Sequence, residues 1–158
     1  MIKCAPGEYH YVSGRNHTKL AYGQLKIADK DDRHRNPSAQ QNAGGDLRRS
    51  DDDGGHLIGA MFGGSSGEEN LFPQNSSLNR WEGYRSLERE WADELNKGNQ
   101  VFVCIYTSSC TESGRNDAVY GTYVVLNKSG KRIESAFSFA NESAKTQQEW
   151  EDEEKFLL

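Results

Sequence analysis

Apolar and polar positions alternate over residues 8–28, where Tyr9 and Tyr11, then Leu20, Tyr22, Leu25 and Ile27 recur. That period predicts two strands joined near Gly14-Arg15-Asn16. From Ala28 to Asp53 the chain turns polar, with Pro37, Gly44 and Gly45, which predicts a long irregular segment of the kind that often carries function. Residues 77–97 change to a helical period. Leu78, Trp81, Tyr84, Leu87, Trp91 and Leu95 recur at three- and four-residue steps and make one apolar face. Ser76 or Ser77 can cap the start of that helix and Gly98 can close its end. Three strand candidates follow at 100–106, 118–126 and 131–139, the last two joined by the hairpin signal Asn127-Lys128-Ser129-Gly130. Strands, long loop, helix, strands: the order predicts an α+β domain with a mainly antiparallel sheet and one long helix.

Length and composition narrow the reading. A chain of 158 residues with one continuous pattern predicts a single domain over 1–158, its core at about 8–140 and an acidic tail at 145–158 that reads as a short helix or a solvated terminus. Hydrophobic residues make up 34%, and with glycine the apolar share reaches about 44%, enough for a core but one with long loops. No apolar run approaches the roughly 18 residues that span a bilayer, and no signal-peptide core opens the chain, so no membrane partner is expected. The expectation is a soluble intracellular protein or one domain of a longer secreted chain. The net charge of −5 is concentrated at residues 149–155, where five acids and one lysine stand together. The rest is nearly neutral, and its arginines can still grip phosphates through bidentate forks. Cys4, Cys104 and Cys110 show no zinc spacing. Cys104, inside an apolar strand, reads as a small core residue, and a Cys104–Cys110 bridge stays open.

The chemistry concentrates after Gly44. Eight of the 16 glycines lie between Gly44 and Gly67, so the backbone there needs unusual angles or a close approach to something. Within it, Asp53-Gly54-Gly55-His56-Leu57-Ile58-Gly59 sets one histidine on a strand-like segment ahead of a glycine-rich loop. Alone, His56 reads as a core histidine. In this setting its neutral imidazole can take a proton from water and leave hydroxide to attack a phosphodiester. Such a reaction needs a hard cation for the phosphate charge, and Mg2+ serves with few protein ligands because it keeps several waters. An asparagine carbonyl suits it, and Asn79, at the first turn of the helix, is held rigidly enough; its alternative role is a helix cap. Arginines of the 33–49 segment, Arg33, Arg35, Arg48 and Arg49, would stabilise the added negative charge of the transition state. His10, His17 and His34 read as surface residues.

These residues resemble the DNA/RNA non-specific endonucleases of the ββα-metal (His-Me finger) fold, whose members carry Asp-Arg-Gly-His, then Asn-x-x-Pro-Gln, then Leu-Asn, then a helical Glu. The match is Asp53-Gly54-Gly55-His56, Asn70-Leu71-Phe72-Pro73-Gln74, Leu78-Asn79 and Glu88, strongest over residues 40–97. His-Leu-Ile-Gly, Phe-Gly-Gly and Glu88-Arg89-Glu90-Trp91-Ala92 are similar to the subset at the C-termini of bacterial polymorphic toxins, including LXG-type toxins exported by type VII secretion. The resemblance implies His56 as general base, Asn79 as the direct Mg2+ ligand (Mn2+ as the alternative ion), Asn70 and Glu88 as organisers of the site and its water, and Gln74 as a loop support or substrate contact. It implies DNA as substrate, with RNA as the alternative, and a secreted effector acting in the target-cell cytoplasm and restrained by a cognate immunity protein. Two departures stand out. The motif's arginine is Gly54 here, so a cation must come from elsewhere. Glu88 lies nine positions after Asn79, which on one regular helix puts them on opposite faces; either Gly83 accommodates a bulge or the helix starts after Asn79, with Glu82 and Glu90 as alternates.

Overall fold

A computed structural model describes residues 5–80, 83–109 and 114–142. Five strands, β1 (Tyr9–Ser13), β2 (Lys19–Gln24), β5 (Gln100–Ser109), β6 (Asn116–Leu126) and β7 (Arg132–Ala140), form one antiparallel sheet in the order β1-β2-β5-β6-β7. Between β2 and β5 the chain makes a second, two-stranded antiparallel sheet from β3 (Asp52–His56) and β4 (Leu71–Asn75). Among the described residues three α-helices complete it, α1 (Pro37–Asn42), α2 (Ser76–Arg80) and α3 (Tyr84–Asn96), beside short 3-10 turns.

Alternation in β5 decides which face of the large sheet is covered. Val101, Val103, Ile105 and Thr107 are buried, while the residues between them reach the opposite face. α3 lays Tyr84, Leu87 and Trp91 on the buried face. Trp91 meets Tyr84, Tyr123 and Phe137 edge-on, at centroid distances of 6.2, 5.6 and 5.9 Å, the arrangement that opposes ring edge to ring face. Each large side chain so buried contributes about 1.5–3 kcal/mol. Cys104 corrects the expectation of a core thiol. Strand parity turns it to the outer face, half-buried, with its thiol 3.3 Å from the Tyr106 hydroxyl. Cys110, Trp81 and the acidic tail lie outside the described residues.

Two elements differ from the sequence pattern. The polar 28–53 segment holds α1, with Pro37 at its first turn and the Asn36 side chain accepting a hydrogen bond from the Ala39 N–H at 3.1 Å. The expected helix over 77–97 is two helices. Gly83 stands between them at φ 52, where a Cβ would sit 2.9 Å from Phe139 and 3.0 Å from Leu78, so the chain turns there and only glycine fits without strain. The cap of α2 comes from Asn75, whose side-chain oxygen accepts the Ser77 N–H at 3.0 Å.

The small sheet is fastened to the large one by buried polar groups. Arg115, at the head of β6, donates Nε–H to Asp52 Oδ2 at 2.7 Å, and both side chains are almost fully buried. Asn141, just past β7, accepts the Asn75 N–H at 2.8 Å and donates to the Pro73 carbonyl at 2.7 Å and the Asn116 carbonyl at 2.6 Å. These bonds satisfy groups that would each be costly to bury alone.

Candidate active site

The β3–β4 pair and α2 follow one another in the chain, and the register His56↔Leu71 to Asp52↔Asn75 places His56 at the far end of β3. Beyond it the backbone is fixed by Asn70. The Asn70 Oδ1 accepts the Ile58 N–H at 2.9 Å, and its Nδ2 donates to the Ile58 and Ser65 carbonyls, each at 2.8 Å. Asn70 therefore spends its side chain on the loop after His56 and does not line the cleft. Gln74 does not line it either. It is fully buried beside Gly55, and its amide atoms have no partner among the described residues.

His56, Asn79 and Glu88 come together. All three line one open cleft of about 920 Å3, with Asp53, Arg33, Arg35, Arg48, Arg80 and Arg85 around it. The turn at Gly83 resolves the nine-residue spacing, because α2 and α3 approach the cleft as separate helices. Of the alternates, Glu90 is exposed and lies away from the cleft, and Glu82 is outside the described residues.

Electrostatics distinguish the groups. His56 is 8% exposed and its Nε2 is buried with no partner among the described residues. Burial, reinforced by the Arg35 charge, pushes its pKa down to about 4, so the imidazole is neutral at physiological pH. Glu88 follows Tyr84 by four residues on the buried stripe of α3, where the helical period calls for an apolar side chain. Burial pushes its pKa up to about 7, against the pull of Arg85 and Arg35. A carboxyl kept in an apolar stripe marks a functional site more readily than a structural one. Asp53 behaves differently. Burial raises its pKa, but hydrogen bonds from Arg80 and Asn79 outweigh that and hold it below the usual carboxylate range.

Asp53 also orients Asn79. Its Oδ2 accepts the Asn79 Nδ2–H at 3.0 Å and the Arg80 Nε–H at 2.8 Å, while Oδ1 takes Arg80 Nη2 at 2.6 Å. With its nitrogen held, the Asn79 amide presents its oxygen as the remaining donor atom. No cluster of three or more His, Cys, Asp or Glu able to hold a metal occurs among the described residues. The donor set fits a hard cation that keeps most of its waters rather than one enclosed by nitrogen and sulfur ligands.

The four expected arginines separate. Arg35 and Arg33 line the cleft, Arg33 also donating to the Ala28 carbonyl at 3.1 Å. Arg48 lines it, but its guanidinium is committed to backbone: Nη1 to the Gln40 and Gln41 carbonyls at 2.5 and 2.9 Å, Nη2 to Asp52 O at 3.0 Å. Arg49 is exposed and outside the cleft. Arg80 and Arg85 line it and were not expected; the available signal was their position, Arg80 next to Asn79 and Arg85 three residues ahead of Glu88.

The sequence profile of the DNA/RNA non-specific endonucleases matches residues 2–123. The chain belongs to that family. Its enzyme class is therefore that of a phosphodiester-hydrolysing endonuclease. The type VII secretion system protein EssD of Staphylococcus aureus, in strains USA300 and NCTC 8325, is 47% identical over 103 residues, 60% of this chain. The matched part spans only 16% of EssD. Among solved structures, the Sda1 nuclease with bound zinc ion superposes with a TM-score of 0.61 at 17% identity, over 87% of this chain and 75% of that one. An extracellular nuclease gives 0.53 at 15%, over 87% and 86%. At such identities the likeness is one of fold, and the fold is a mixed α+β one with a mainly antiparallel sheet and one long helix. No helix among the described residues is long and apolar enough to cross a membrane.

Proposed function

We propose that this domain is a Mg2+-dependent, sequence-non-specific endonuclease that cuts DNA with His56 as general base. The observation that carries the reading is the His56 Nε2, buried and without a partner among the described residues, on a histidine that lines the same cleft as Asn79 and Glu88. Leaving such an atom unpaired costs about 1–3 kcal/mol, a cost that a functional partner offsets. The neutral imidazole takes a proton from an attacking water, whose oxygen bonds to phosphorus as the P–O bond to the leaving oxygen breaks. Asn79 would hold the cation through its amide oxygen, with Asp53 keeping the amide turned. A bound Mg2+ supplies charge for the phosphate and the departing oxygen. Glu88 holds or releases a proton near neutrality and positions water at the site, while Arg35 stands where the phosphate's extra charge develops.

The similarity to part of a type VII secretion protein supports a biological setting: the toxin domain of an exported interbacterial effector, acting in the target-cell cytoplasm and blocked in its producer by a cognate immunity protein. A catalytic cleft lined by arginines suits an acidic inhibitor surface.

Nicking of supercoiled plasmid by the purified domain, with and without EDTA and then across Mg2+, Mn2+ and Zn2+, tests the reading. Cleavage that EDTA abolishes and Mg2+ restores is expected. Cleavage indifferent to EDTA, or none with any divalent ion, overturns it. Parallel RNA and single-stranded substrates define the range.

A further inference from the structure

Position 54 cannot carry the cation that the family's motif places there. A Cβ on Gly54 would lie 2.1 Å from the Gln40 carbonyl oxygen and 2.4 Å from the Gln40 Cα, so the α1 backbone occupies the space of a side chain. α1 is locked in that place. The Gln40 Nε2–H donates to the Gly54 carbonyl at 3.1 Å, and the Arg48 guanidinium ties the end of α1 to the Asp52 carbonyl. Arg48 is thus a fastener for the helix rather than a free phosphate ligand.

Two other cations reach the cleft. Arg35 sits on the segment leading into α1, and Arg85 sits on the first turn of α3, one turn ahead of Glu88. Both line the cleft, and both bear on the Glu88 carboxyl. Among the described residues, neither forms an ion pair, whereas Arg80 is committed to Asp53.

We propose that Arg35 and Arg85 form a two-sided clamp on the nucleic-acid backbone, with Arg85 supplying from α3 the phosphate contact that Gly54 gives up to α1. The proposal rests on the nuclease reading of this cleft and adds the element that grips the substrate. A guanidinium fork matches phosphate geometry in a way that an ammonium does not. Contacts of this kind position the backbone and carry no sequence information.

The test measures binding of a short labelled DNA duplex by fluorescence anisotropy, in EDTA and across a NaCl series, so that no cleavage intervenes. Arg85→Gln and Arg35→Gln should each weaken binding and lower the salt slope by about one unit, equally for A·T-rich and G·C-rich duplexes. Arg85→Lys should restore the slope but not the full affinity. Lys131→Ala, at the β6–β7 turn, serves as the reference and should change neither. Thermal unfolding of each variant reports folding. An unchanged slope in folded Arg85→Gln overturns the clamp. If His56→Ala is inactive in the same preparations, the nuclease reading survives that failure; if His56→Ala cleaves normally, it is the general-base reading that fails, whatever the slopes.

Discussion

The Asn79 side-chain amide is anchored through its nitrogen to Asp53 Oδ2 at 3.0 Å, on a carboxylate that also takes the Arg80 guanidinium. This puts a charged residue of β3 in control of how a neutral residue of α2 is turned. Partners that orient a ligand typically govern metal affinity by about 10–100-fold. Asp53→Ala is therefore expected to raise the Mg2+ concentration for half-maximal cleavage within that range, and Asn79→Ala by at least as much. A metal titration of the purified variants checks this. Identical curves for wild type and Asn79→Ala would place the ligand elsewhere.

His56→Ala is expected to keep the fold and lose about 10²–10⁴ in turnover, the usual contribution of a positioned base. Circular dichroism and single-turnover cleavage at saturating Mg2+ give the two readouts. Near-normal turnover would remove His56 from the chemistry.

His56 and Glu88 set opposite pH dependences of stability. The folded His56 pKa is about 4 against roughly 6.5 unfolded, so between these values the unfolded chain binds more protons and stability falls as pH falls. The folded Glu88 pKa is about 7 against roughly 4.5 unfolded, so in that window the folded chain binds more protons and stability falls as pH rises. Where the windows overlap, at about pH 4.5–6.5, the two oppose each other, each with a slope of at most ~1.4 kcal/mol per pH unit. In EDTA, Glu88→Gln should expose the rise of stability with pH and His56→Ala the fall. Urea midpoints across pH are the measurement; parallel profiles for the two variants would contradict it.

Gly83→Ala should destabilise the domain by about 1–3 kcal/mol, the usual cost of forcing a side chain into such backbone. At φ 52 it would also press a methyl group on Phe139 and Leu78. Activity should fall further than the shift in the thermal midpoint implies, because the turn sets Asn79 and Glu88 into one cleft. Equal stability and activity to wild type would show that the break tolerates any residue.

The strands of the large sheet and the Asn127–Gly130 turn were legible because two-residue alternation and turn residues are local signals. α1 was not, since its six residues carry no apolar period; only the Asn36-Pro37 start announced it. The break at Gly83 was foreshadowed by the nine-residue spacing of Asn79 and Glu88, a geometric conflict rather than a propensity. Asn70 and Gln74 look like site residues in sequence, yet one serves backbone groups and the other is buried. An amide's type does not say which way it faces. The Arg115–Asp52 pair depends on contacts that bring distant segments together, and sequence position alone does not reveal it.

Asn141 gives the molecule an order in time. Synthesised from its N-terminus, the chain completes His56, Asn79 and Glu88 long before Asn141 exists, yet Asn141 stitches β4 to the ends of β6 and β7. Until that residue leaves the ribosome, the β3–β4 pair has only the Arg115–Asp52 part of this polar fastening to the large sheet. The seating of the β3–β4 pair, which carries His56, thus depends on a residue that follows β7 in the chain.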